Sequence, residues 1–203
     1  LLRRAQEAAS HSRFKEAAGF MKQVLESVNL SQPDQEHYQM FFAQWALQAG
    51  EFEPVIQMVT SALVPAGIDQ PGSKYVGWLN YYLGAAQVGL ALGHPAKDLS
   101  LRARRNLRHA ASILQPNPKG PRQDQILWAN LQDRLARCAL ELADHEIRDG
   151  RFSEARDYYA EALEHETALL EDAGLSLNDF QNSGWDDISF RKTLNDKRVN
   201  IIY

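Results

Sequence analysis

Three stretches of this chain repeat one figure. Gly150-Arg-Phe152 opens a run in which Ala155, Tyr159, Ala162 and Leu163 follow at helical spacing. Gly50-Glu-Phe52 leads to Val55, Val59, Ala62 and Leu63 at the same offsets, and Ser12-Arg-Phe14 leads to Ala17, Met21, Val24 and Leu25. Residues three and four positions apart share one face of an α-helix, so each run is an amphipathic helix behind a tight turn. One such unit cannot bury its own apolar face. Recurrence of the figure therefore predicts like units that stack side by side.

The prolines divide the rest of the chain. They stand at 33, 54, 65, 71, 95, 116, 118 and 121, and between them lie stretches rich in Ala, Leu, Gln, Glu and Arg, all good helix formers. Nowhere do β-branched residues alternate over a strand's length beside turn pairs. The fold class is all-α, with helices predicted at 1–10, 13–28, 34–49, 53–64, 75–92, 97–114, 122–149 and 152–173. Pro54 suits a first helical turn, where its missing N–H costs nothing. Gly50, Gly93 and Gly150 mark helix ends, and Asp98 and Ser153 are candidate N-caps. The connections within pairs are short, which makes partner helices antiparallel neighbours.

These residues resemble the tetratricopeptide repeat, whose pattern pairs a Leu-Gly step in the first helix with an Ala-x3-aromatic step in the second. The first-helix step stands as Leu83-Gly84, as Phe42-Ala43 before Gly50 and as Leu142-Ala143 before Gly150. The resemblance implies a close crossing of the two helices at these small residues. The family's tryptophan is replaced by Gln39, Asn80 and Ala139, and the interval from Gly50 to Gly150 exceeds two repeats of about 34 residues. The expected architecture is a divergent right-handed α-solenoid of about four antiparallel helix pairs over residues 1–174, followed by a C-terminal capping helix or tail at 175–203. In that tail Asp186 or Asp187 is placed to cap a short helix through Arg198, with Phe190 and Leu194 on one side.

The resemblance also implies a binding face. First helices of such repeats line a concave groove, and the family's register puts His37, Met40, Phe41, Gln44 and Leu47 there from the second unit. The third unit contributes Trp78, Tyr81, Tyr82, Ala85 and Val88, and the fourth Arg137, Leu140, Glu141, Asp144 and Ile147. Phe41, Gln44, Trp78, Tyr81, Tyr82, Arg137 and Asp144 are the candidate partner-binding residues, because aromatics give large contact area at low entropic cost. The competing reading puts the tyrosines in the core. Some family members grip a C-terminal carboxylate with Lys and Asn. The corresponding positions here hold Phe41, Tyr82 and Glu141, and Gln44, Ala85 and Asp144, so a chaperone-tail receptor is not expected.

Charge and catalytic chemistry narrow the function further. A formal net charge of -4 gives no global pull toward nucleic acid or anionic membrane. Helix 97–114 carries Arg102, Arg105 and Arg108 as a possible secondary basic patch, and helix 152–173 is acidic, a pairing suited to contact between subunits. The histidines fall singly, and neither His145-Glu146 nor His165-Glu166 continues into a zinc-binding helix motif. Glu161 and His165 stand one turn apart, as on many helix surfaces. Cys138, the single cysteine, lies within an amphipathic helix and is expected to be buried and inert. No apolar run approaches the roughly 20 residues of a membrane helix.

The expectation is a non-enzymatic protein-protein interaction module without cofactor or metal, serving as an adaptor that holds a peptide or helical segment. An oligomerising scaffold, or a regulatory or sensor domain of a larger protein, is the alternative. A cytoplasmic location fits the lone cysteine, and the opening Leu1 suggests a truncated N-terminus.

Overall fold

A computed structural model describes residues 1–27, 29–69, 71–93, 96–115 and 122–171. They form eight helices and no strand: α1 (Leu2–Ser10), α2 (Phe14–Ser27), α3 (Gln32–Gln48), α4 (Phe52–Asp69), α5 (Lys74–Gly93), α6 (Lys97–Ile113), α7 (Arg122–Arg148) and α8 (Phe152–Glu171). Each helix packs against the next in the chain. In addition α3 touches α5, and α5 touches α7. The expected tail at 175–203 lies outside the described residues.

The repeated figure has one physical cause at each copy. Gly50 and Gly150 adopt φ of 74° and 75°, and Ser12 adopts 58°. At all three turns the N–H at this position donates to the carbonyl three residues back. The next N–H reaches the carbonyl five back, as in Arg13 to Ala8, Glu51 to Ala46 and Arg151 to Glu146. This is the Schellman closure, which needs a left-handed residue and satisfies carbonyls that the helix end leaves open. The helices that follow bury the same offsets: Ala17 and Met21, Val55 and Val59, Ala155 and Tyr159.

Small residues set the helix crossings. A Cβ added to Gly84 would sit 2.6 Å from Leu107 Cγ and 3.1 Å from the Ala103 carbonyl oxygen, so α5 and α6 approach too closely for a side chain there. Ala43 and Ala143, at the matching places in α3 and α7, are fully buried. Most of the apolar core forms one continuous cluster from Ala5 to Cys138, and Ala139, Leu140, Ala143, Tyr159 and Ala162 form a second between α7 and α8.

Three local expectations are corrected. The helix placed at 53–64 runs on through Pro65 to Asp69, because Ala66 beyond the proline is buried in the core. Proline interrupts one backbone hydrogen bond without obliging a helix to end when packing continues past it. Asp98 does not cap α6, whose N-cap is Ala96, and Ser153 lies inside the first turn of α8. The side-chain cap that does form at α3 is Ser31, whose Oγ accepts from the Asp34 N–H.

Candidate functional site

The row of α3, α5 and α7 carries the aromatic residues singled out above. On α3, one-turn spacing brings His37 edge-on to Phe41, with ring centroids 4.6 Å apart. Phe41 in turn stacks on Trp45 at 5.2 Å. On α5, Trp78 stacks on Tyr82 at 5.8 Å, and Tyr81 meets Tyr82 edge to face at 5.2 Å. Tyr75 of α5 donates its hydroxyl hydrogen to Gln39 Oε1 of α3 and fastens the two helices together. Burial beside the carboxylate of Glu36 pushes its pKa up to about 12.

The tyrosines are not where a groove wall would need them. Tyr81 is 7% exposed and Tyr82 4%, and both belong to the main core cluster. The reason is the position of α5, which is packed against α3, α4, α6 and α7 and has no bare face at its middle. Burial raises the pKa of both hydroxyls. Ala85, Val88 and Leu140 are buried with them. Of the aromatic candidates, Phe41 and Trp78 are half-buried, Phe41 with the exposed His37 and Gln44 one turn away on the same helix.

On α7 the polar candidates are already engaged. Arg137 donates from Nε to both carboxylate oxygens of Asp133, one turn earlier, at 3.0 and 2.9 Å. Asp144 accepts from the Tyr159 hydroxyl of α8 at 2.9 Å. Asp133 escaped the sequence reading, although its four-residue spacing from Arg137 is the usual sign of an intrahelical pair. Beside it Arg134 also lies within electrostatic reach of Tyr81.

The basic helix is divided in use. Arg104 forks onto Glu161 of α8, with Nε to Oε1 at 2.8 Å and Nη2 to Oε2 at 2.6 Å, and Arg108 adds a contact at 3.0 Å. Glu161 of the acidic helix α8 is therefore paired with α6 within one chain. His165 Nε2 lies 3.6 Å from the same carboxylate, and its Nδ1 is 2.7 Å from Gln132 Oε1 of α7. Burial alone would raise the Glu161 pKa. The hydrogen bonds from His165 and Arg104 and the two guanidinium charges outweigh it, and the pKa falls to about 2. Arg102 and Arg105 stay exposed, with no ion pair among the described residues.

Cys138 is buried against α6, its thiol donating to the Ser100 carbonyl at 2.8 Å, and burial pushes its pKa up to about 12. Thiolate chemistry is thereby suppressed. Among the described residues no group of three or more His, Cys, Asp or Glu is placed to hold a metal ion. No described helix is long and apolar enough to cross a membrane. No family model matches the chain, and no curated protein matches it either.

Proposed function

We propose that the chain is a divergent tetratricopeptide-like α-solenoid and acts as an adaptor, binding a peptide or helical segment of a partner protein on the face formed by α3, α5 and α7. The observation that carries this reading is the aromatic pair Phe41 and Trp78, left half-exposed on adjacent helices of one row while their stacking partners Trp45 and Tyr82 are buried. Stacking holds each ring in place before a partner arrives. A preformed aromatic surface lowers the ordering cost of association. The three matching turns, the glycine at the α5–α6 crossing and the contacts of α3 with α5 and α5 with α7 support the repeat architecture.

The test begins with peptides selected from a random library on the whole chain. Their affinities are then measured against Phe41→Ala and Trp78→Ala combined. The double variant is expected to bind at least tenfold more weakly, a loss of about 1.4 kcal/mol, while keeping its helical signal. Gln44→Ala, exposed beside Phe41, is expected to have a smaller effect. Selected peptides that bind the double variant as tightly as the parent would rule out this face.

A further inference from the structure

A cleft of about 530 Å³ opens where α5 and α7 begin and α6 ends, a volume within the range of small-molecule sites. Ile113, Leu114, Leu127 and Trp128 give it apolar walls. Leu114, Leu127 and Trp128 are buried. A Cβ added to Gly77 of α5 would sit 2.8 Å from Leu114 and 3.0 Å from Ile113, so close packing fixes these walls before anything binds. At the edge Lys74 Nζ donates to both carboxylate oxygens of Asp124 at 2.9 Å, joining α5 to α7. That pair balances its own charge, and the remaining lining residues are neutral. Trp128 is only 9% exposed, yet its indole Nε1 has no hydrogen-bond partner among the described residues. Buried indole N–H groups ordinarily find an acceptor. Phenylalanine would give the same apolar wall without an unmet donor.

We propose that this cleft binds an uncharged, mainly apolar small molecule carrying a hydrogen-bond acceptor, a ketone or an amide, whose oxygen accepts from Trp128 Nε1. Three properties of the cleft select that class. Its apolar walls favour an apolar body. Its ion pair is closed on itself, so a charged ligand would give up hydration without meeting a free counter-charge. Its unmet buried group is a neutral donor, which a carbonyl oxygen satisfies. The cleft includes neither Phe41 nor Trp78, and the inference is independent of the proposed aromatic face.

The test titrates the full, isotope-labelled chain with acetylnaphthalene and with isopropenylnaphthalene, in which a methylene group of like shape replaces the carbonyl oxygen. The Trp128 indole N–H resonance is assigned in the parent through its bonds to the Trp128 backbone. With the ketone it is expected to move downfield and saturate, while those of Trp45 and Trp78 stay in place. Trp128→Phe is expected to weaken ketone binding at least about fivefold, as loss of one hydrogen bond requires, and alkene binding less than about twofold. Naphthoic acid, the charged analogue, should bind more weakly than the ketone. A Trp128 resonance that stays in place up to the ketone's solubility limit overturns the proposal. So does a response centred on Trp78, which would put the ketone on the aromatic face. Equal losses for ketone and alkene in Trp128→Phe overturn it too, as does tighter binding of naphthoic acid than of the ketone. Should Trp128→Phe fail to fold, the titration of the parent chain decides alone.

Discussion

Replacing Ser12 with glycine should stabilise this protein, and the amount follows from comparing its three matching turns. All three place a residue in the left-handed region to close the helix end, but only Ser12 carries a side chain there. That conformation costs an L-residue about 1–2 kcal/mol. Glycine removes the cost and adds back about 0.5–1 kcal/mol through the greater freedom of the unfolded chain. Ser12→Gly should therefore gain about 0.5–1 kcal/mol, or a few degrees in Tm for a chain of this size. The reverse substitutions isolate the same effect. No heavy atom outside the turn lies within 4 Å of a Cβ built at Gly50 or Gly150, so Gly50→Ala and Gly150→Ala lose stability through backbone strain alone. Each should cost about 0.5–1 kcal/mol, the strain of the left-handed side chain less the lost freedom of the unfolded glycine. Urea unfolding followed by circular dichroism gives the three values, and amide exchange in α1 reports the Ser12 turn locally. A Ser12→Gly chain less stable than its parent, or alanine accepted at both glycines without loss, would refute the account of the turns.

Two further predictions concern the packing and the ion network. Ala17→Leu and Ala155→Leu should each destabilise the fold by about 1–3 kcal/mol, because both alanines are fully buried and leucine overpacks the site; exposed Glu154→Leu, measured in the same unfolding assay, should have little effect. Glu161 has a folded pKa depressed from 4.5 to about 2, so its stabilisation is present above the unfolded value and is lost as pH falls through that window. The shift corresponds to roughly 3 kcal/mol, and Glu161→Gln should flatten the acid limb of a stability-pH profile between those two values.

Helix positions were legible because periodicity and proline spacing act locally. The turns were legible for the same reason: Gly50 and Gly150 announce a left-handed residue, and Ser12 could be aligned with them by the residues that follow. Burial of a given aromatic is not local. Tyr81 and Tyr82 fit a groove register by spacing, but α5 is enclosed by four other helices. A signal for this did exist: Lys74–Gly93 is apolar on all sides, the mark of an interior helix rather than one lining a surface. Pro65 misled in the opposite direction, since what continues α4 past it is the burial of Ala66. The Arg104–Glu161 contact joins residues far apart in sequence, and only the packing of α6, α7 and α8 brings them together.

That contact also gives the row of helices a direction in which to come apart. Where each helix leans only on its chain neighbours, loss of one end pair leaves the remainder whole, and either end is free to fray first. Glu161 spans from α8 to α6 and His165 of the same helix holds Gln132 of α7, so releasing α8 breaks ties to two helices at once. At the other end, the ion pairs of α2 are exposed ones, Arg13 with Glu16, Lys15 with Glu51 and Lys22 with Glu26, each contributing little. Opening of α1 is therefore expected to precede release of α8, an order that amide exchange at the two ends would report.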